Sequence, residues 1–285
     1  MVLGVPYDRT STYRPGSKFG PSAIREASAN IETYSIRSGM DVEDLGICDI
    51  GDMNVTDNPA ETIERIRLIV GEIVSDGKTP VMLGGEHTIT LGGVKALGTS
   101  TTVVGFDAHM DLRNEYNGEA LSHAAVMRRI TERIGPSHVL LIGTRAICKE
   151  ELQFAEANSV TRISSLELQR KPVEKSLETL KKKLSGCQSI YLTIDADVID
   201  PAYAPAVGNP EADGLTPSII MTLLEEICTQ NVVAIDLTEV SPHYDTGATA
   251  AQATKILFES LCYVERRKRQ TGKQSRENAT DLARL

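Results

Sequence analysis

The sequence predicts a single wound α/β domain built around a mostly parallel sheet. Short runs rich in Val and Ile alternate with longer amphipathic segments from end to end. Several of these runs are apolar throughout, as expected for strands covered on both faces. No linker or internal repeat interrupts the 285 residues, a length that supports one substantial core.

The candidate strands are Val2–Val5, Asp44–Ile47, Val81–Leu83, Thr102–Phe106, Val139–Ile142, Val160–Ile163, Ile190–Ile194 and Val232–Asp236. Helices are expected between them. Pro21–Tyr34 is one, and Pro59–Ser75 another, with Ile63, Ile66, Ile69, Val70 and Ile73 at helical spacing. Thr216-Pro217 reads as an N-cap followed by Pro at the first helical position, opening a helix over Pro217–Thr229. Gly247–Arg266 is the last helix. The domain is expected to span residues 1–265, with 266–285 a polar C-terminal tail. Two connections are long, Arg113–Ser122 and Pro201–Leu215. Both follow strand C-termini, where parallel sheets carry their ligand sites.

Composition narrows the function. The formal net charge is −9, and the one basic cluster, Arg266–Arg269, lies near the C-terminus. No broad basic footprint for nucleic acid is present, whereas a cationic substrate is compatible. No apolar run approaches membrane-spanning length, and Met1–Thr10 lacks the pattern of a signal peptide. Cys48, Cys148, Cys187, Cys228 and Cys262 are odd in number and widely spaced, which suits reduced thiols in the cytoplasm.

The chemistry is carried by strand ends. Val103–Phe106 runs directly into Asp107-Ala108-His109-Met110-Asp111, and the period of two in extended chain lets the three ionisable side chains project together. Such crowding is repulsive unless something cationic sits among the groups. Ile190–Ile194 ends likewise in Asp195-Ala196-Asp197, a pair that alone is equally a solvated strand end. Val81–Leu83 leads into Gly84-Gly85-Glu86-His87, and Val232–Asp236 into Leu237-Thr238-Glu239. Together, four strands deliver His, Asp or Glu at one end of the sheet. Two His and four Asp are too acidic for a structural zinc site; they suit two divalent ions sharing carboxylates, Mn²⁺ best.

These segments resemble the ureohydrolase family of arginases and agmatinases. The resemblance extends to Gly4-Val5-Pro6-Tyr7-Asp8, Arg14-Pro15-Gly16, Phe19-Gly20-Pro21, Asp200-Pro201, Ala204-Pro205 and Glu239-Val240-Ser241-Pro242, covering about Val2 to Glu265. It is nearest to prokaryotic, archaeal-type agmatinases. It implies a three-layer arginase/deacetylase-like fold with about eight strands, and two manganese ions per chain. By that resemblance His87, Asp107, Asp111 and Asp195 hold one ion, and His109, Asp107, Asp195 and Asp197 the other. A trimer or paired trimers (a hexamer) are likewise implied.

The expected reaction is hydrolysis of agmatine to putrescine and urea by a hydroxide bridging the two ions. Asp111 would align the hydroxide, Glu239 pair with the guanidinium, and His123 protonate the leaving amine. His123 at a helix start is alternatively a backbone cap. A sibling activity on arginine, guanidinobutyrate or guanidinopropionate is the first alternative, and a non-catalytic binding protein that keeps the fold the second. Two departures from the family pattern bear on substrate: Ala124 stands where Gly is frequent, and the loop reads Ala204-Pro205-Ala206-Val207-Gly208-Asn209-Pro210-Glu211. The expected determinants of an amine over a carboxylate are Glu115 and Glu119, with Arg113 the competing inward-facing residue, and an apolar wall at Ala204–Asn209.

Overall fold

In the computed structural model, the backbone is described for residues 1–282 and the side chains for residues 1–271. Ten strands form: β1 (Val2–Val5), β2 (Tyr34–Ser35), β3 (Met40–Asp41), β4 (Asp49–Asp52), β5 (Val81–Gly84), β6 (Thr102–Phe106), β7 (Val139–Thr144), β8 (Thr161–Ser164), β9 (Ile190–Asp195) and β10 (Val232–Thr238). The helices are α1 (Gly20–Ser28), α2 (Pro59–Ser75), α3 (Thr90–Ala96), α4 (Val126–Ile134), α5 (Lys149–Ala157), α6 (Ser165–Arg170), α7 (Val173–Leu184), α8 (Pro217–Ile227) and α9 (Ala248–Leu282). Eight strands make one sheet in the order β4-β1-β5-β10-β9-β6-β7-β8, and each pairing in it is parallel. This is the expected single-domain α/β architecture.

The pleat sorts the apolar side chains into two cores. Val104, Phe106, Leu140, Ile142, Leu192 and Ile194 face α7, α8 and α9, packing with Leu180, Leu224 and Ile256. Val103, Leu141 and Tyr191 face the other way, toward Ile63, Ile66, Val94 and Ile130 of α2, α3 and α4. Because both faces are covered, the central strands are apolar along their whole length, which is what made them visible in the sequence.

Caps set the helix starts. Asn58 accepts from the Ala60 and Glu61 amides ahead of Pro59, and Thr216 accepts from the Ile219 amide ahead of Pro217. Gly85 permits the closest approach between elements. A Cβ there would lie 1.9 Å from the Tyr7 carbonyl oxygen, which instead accepts the Glu86 amide at 2.6 Å. The turn leading to His87 is thereby pinned to the chain leaving β1.

Three expectations are corrected. The helix expected over Pro21–Tyr34 ends at Ser28, and Tyr34 instead begins β2. The strand expected at Asp44–Ile47 forms instead at Asp49–Asp52. Asp41 caps a 3-10 turn over Val42–Asp44, and the edge strand β4 is fully exposed, so it carries no apolar pattern. Arg25 anchors it through ion pairs to Asp49 at 2.7 Å and Asp52 at 2.5 Å. The last helix continues beyond Arg266 through Leu282, and residues 283–285 of the expected tail lie outside the described residues. Arg266 pairs with Glu225 at 3.0 Å and Arg269 with Glu265 at 2.8 Å, so these cations serve the fold. Among the described residues no helix is long and apolar enough to cross a membrane.

Candidate metal centre

The four strands whose ends carry the acids and imidazoles are neighbours at the middle of the sheet, in the order β5-β10-β9-β6. Adjacent strands lie about 4.8 Å apart, so side chains leaving their C-terminal ends meet over a short distance. His87 follows β5, Glu239 follows β10, Asp195 ends β9 with Asp197 in the turn after it, and Asp107, His109 and Asp111 follow β6.

All six expected metal ligands converge there. The His87 Nδ1 atom lies 3.1 Å from Asp107 Oδ2, 3.0 Å from Asp111 Oδ2 and 3.4 Å from Asp195 Oδ2. The His109 Nδ1 atom lies 3.5 Å from Asp107 Oδ1 and 2.9 Å from Asp197 Oδ2. The two oxygens of Asp107 thus face two different imidazoles. His87, Asp107 and Asp111 form one group able to hold an ion; Asp107, His109 and Asp197 form a second that shares Asp107.

Backbone amides hold the carboxylates in place. Asp107 Oδ1 accepts from the His109 amide at 2.6 Å, Asp195 Oδ1 from the Asp197 amide at 2.9 Å, and Asp197 Oδ1 from the Ala108 amide at 3.0 Å. Asp111 and Glu239 both adopt positive φ, 52° and 64°, a costly backbone state for residues with a Cβ. Glu239 Oε1 accepts the His87 amide at 2.8 Å. A Cβ on Gly208 would come within 3.2 Å of Glu239 Oε2, so glycine there leaves that oxygen room.

The His87 ring is fixed from behind. Its Nε2 lies 2.9 Å from Thr193 Oγ1; Thr90 and Tyr191 donate to the buried Asp236 carboxylate, and Thr193 lies 3.3 Å from the Thr90 hydroxyl, whose proton is thereby spent. Thr193 therefore donates to Thr90 and accepts from the His87 Nε2–H. Nδ1 is left facing three mutually repelling carboxylates, and both Nδ1 and Asp107 Oδ2 are buried without a hydrogen-bond partner. A divalent cation between them resolves that repulsion.

The electrostatics carry the same strain. Burial, then the neighbouring Asp107 charge, pushes the Asp111 carboxyl up to about 7. Burial, with Asp197, Asp107 and Glu239 adding, raises Asp195 well above the carboxylate range. Burial, then Glu86, does the same to Glu239. Burial opposes charge on His87 as well, yet Asp107 and Asp111 override it and hold the imidazole pKa well up. The cluster holds more buried acid than its two imidazoles neutralise, which is how a site for cations looks without them.

His123 lies at the mouth of the same cavity, of about 420 Å³, together with Asp111, Glu239, Arg113, Tyr116 and Asn209. Burial, then the charges of His109 and His87, lowers its pKa to about 4. The walls differ from expectation. Glu115 and Glu119 do not line the cavity, and Glu119 pairs with Arg9 at 3.6 Å; Arg113 lines it instead, stacked on Tyr116. Ala204, Ala206 and Val207 are buried in the core, and only Asn209 of that stretch reaches the cavity, followed by Glu211.

Several residues had no distinguishing signal in the sequence. Arg145 donates to the carbonyls of Asp197, Val198, Gly143, Glu211 and Ala212, tying the long 201–215 loop to the strand ends. Glu151 accepts the Leu112 and Cys148 amides across the cavity floor. Thr193 and Asp236 read in sequence as ordinary strand residues.

Comparison with known proteins agrees with this geometry. The model of the arginase family matches residues 1–262. An agmatinase of Bacillus subtilis (strain 168) is 40% identical over 271 residues, covering 92% of this chain and 90% of that protein. The mitochondrial guanidino acid hydrolase of Homo sapiens is 34% identical over 270 residues, covering 91% of this chain and 76% of that one. The crystal structure of the agmatine ureohydrolase of Thermoplasma volcanium superposes with a TM-score of 0.88 at 38% identity, covering 94% of this chain and 90% of the other. The chain belongs to the arginase family, and it is a ureohydrolase.

Proposed function

We propose that the chain hydrolyses the guanidinium group of agmatine to putrescine and urea at a centre of two manganese ions. The observation that carries this reading is the convergence of His87, Asp107, His109, Asp111, Asp195 and Asp197 beside Glu239, at the ends of four adjacent central strands. His87, Asp107, Asp111 and Asp195 would hold one ion, and His109, Asp107, Asp195 and Asp197 the other. An oxygen-rich set with two imidazoles suits Mn²⁺. When bound, paired divalent ions acidify water enough to attack a resonance-stabilised guanidinium carbon at neutral pH.

The chain's own residues do the rest. Glu239 spends Oε1 on the His87 amide and keeps Oε2 to pair with the guanidinium, which fixes the carbon over the cluster. Asp111 would hold the attacking water in line, and the proton that water gives up reaches His123 through the solvent of the cavity. The bond from the guanidinium carbon to the alkyl-bearing nitrogen then breaks, and His123 gives that nitrogen its proton. Water adds across the cleaved bond, leaving urea and an amine.

Agmatine is favoured by Glu211, whose carboxylate lines the cavity with no ion pair or hydrogen bond among the described residues, and by the agmatinase and agmatine ureohydrolase relatives. A second reading, a guanidino acid as substrate, is favoured by Arg113. Its guanidinium also lines the cavity and makes no ion pair among the described residues. Arg145 and Glu151 do not decide between them, because backbone groups occupy both.

The test compares kcat/KM for urea release from agmatine, arginine and guanidinobutyrate on one manganese-loaded preparation. Agmatine is expected first, with Glu211→Gln lowering its kcat/KM by up to about fivefold, the scale of one exposed ion pair. Guanidinobutyrate first, with that preference lost in Arg113→Ala, would establish the guanidino acid reading instead.

A further inference from the structure

Glu86 is a charged side chain buried at the catalytic end of the sheet that the chemistry above does not use. It immediately precedes His87, yet its hydrogen bonds go to Thr10 and Thr88 and not to the acid cluster. Three donors converge on its two oxygens: the Thr10 amide at 2.6 Å, the Thr10 hydroxyl at 2.6 Å and the Thr88 hydroxyl at 2.5 Å. The Thr10 hydroxyl therefore spends its proton on Glu86. Its oxygen lone pairs are left for His123, whose amide and ring Nδ1 both lie 3.1 Å away.

The direction of donation along this chain fixes the ring. With Thr10 Oγ1 acting as acceptor, the Nδ1 atom of His123 must carry a proton, and Nε2 is the nitrogen left for the cavity. Nε2 makes no hydrogen bond among the described residues. Tyr116 stands edge-on to the imidazole with ring centroids 5.8 Å apart, limiting its swing.

We propose that Thr10 and Glu86 are positioning residues that hold His123 through its Nδ1–H and leave Nε2 facing the cavity, where it carries the proton for the leaving amine in the imidazolium form. The inference rests on the reading of His123 as proton donor. An imidazole free to turn about its Cβ–Cγ bond presents Nε2 to the cavity only part of the time. A hydroxyl whose own proton is committed to a buried carboxylate accepts from Nδ1–H in neutral imidazole and imidazolium alike, so Nε2 stays the atom that gains and gives the proton. The same contacts seat the His123 amide at the start of its 3-10 turn, so ring and backbone are registered to one oxygen.

The test uses manganese-loaded protein and urea release. Thr10→Val keeps the side-chain shape and removes the hydroxyl. It is expected to lower kcat by about 10- to 100-fold, the cost of a misoriented catalytic group, with KM changed by less than about twofold and metal content unchanged. Thr10→Ser restores most of kcat. Glu86→Gln, which perturbs the far side of the hydroxyl, lowers kcat in the same way. In a His123→Asn background, Thr10→Val has no further effect. Unchanged kcat in Thr10→Val while His123→Asn is slow would overturn the relay alone. So would a full additional loss in the double variant, since a merely structural role adds. If His123→Asn itself turns over normally, the assignment of His123 fails, and the relay with it.

Discussion

Thr193→Val is the sharpest probe of how the cluster is held. Thr193 is fully buried, and its hydroxyl accepts the His87 Nε2–H at 2.9 Å. Valine has nearly the same shape and no acceptor. In the metal-free variant the ring can move its proton to Nδ1, where Asp107 at 3.1 Å and Asp111 at 3.0 Å accept it. With an ion on Nδ1 that escape is closed, and the Nε2–H stays buried and unpaired. An unsatisfied buried donor costs about 1–3 kcal/mol, or about 5- to 150-fold in affinity. The penalty falls on the ion that uses His87. The ion beside His109 and Asp197 keeps its own ligands and changes less. Calorimetric titration of metal-free protein with Mn²⁺ reads both steps. One step weakened by about 10- to 100-fold with the other near wild type is expected. Two unchanged steps, or two weakened equally, would refute the reasoning.

Other consequences follow from the same geometry. Chelation abolishes urea release, and Asp107→Ala or Asp195→Ala disturbs both ions; full activity in Asp195→Ala with unchanged metal content would contradict the ligand assignment. His123→Asn keeps both metals and loses about 10²–10⁴ in kcat, whereas loss of metal would make His123 a ligand. The stability of the metal-free protein should fall as pH rises. Burial, then Asp107, lifts Asp111 from the ordinary carboxyl value near 4 to about 7, so its protonated form stabilises the fold fully below about pH 4, and that contribution is lost as pH rises through 7. Mn²⁺ replaces the missing protons, so its gain in Tm is larger at pH 8 than at pH 5; equal gains in paired melts would count against this.

What was legible in the sequence follows from burial. Val103–Phe106 and Ile190–Ile194 announce themselves because both faces are packed, and the acids after them stand out against those runs. Edge strand β4 is polar and exposed and is held by Arg25, so no hydrophobic period marks it. The two-residue strands β2 and β3 are too short to carry any pattern. At the site, the six candidate ligands were readable from strand ends, because a strand end fixes where its next residues go. Loops do not: whether Arg113 or Glu115 faces the cavity depends on how the 113–122 connection folds back. The support behind the site was also hidden. Thr10 reaches Glu86 across 76 residues of chain and His123 across 113, and Thr193 reaches His87 across 106. No local spacing encodes such contacts.

The central claim is that two ions, sharing Asp107 and Asp195, make this cluster a ureohydrolase site. The most direct test adds Mn²⁺ stepwise to metal-free protein and follows urea release from agmatine, arginine and guanidinobutyrate at each equivalent. Activity that rises with the second equivalent and saturates near two per chain is the expected result. Full activity at one equivalent, or two bound equivalents with no urea from any guanidino compound, would contradict it.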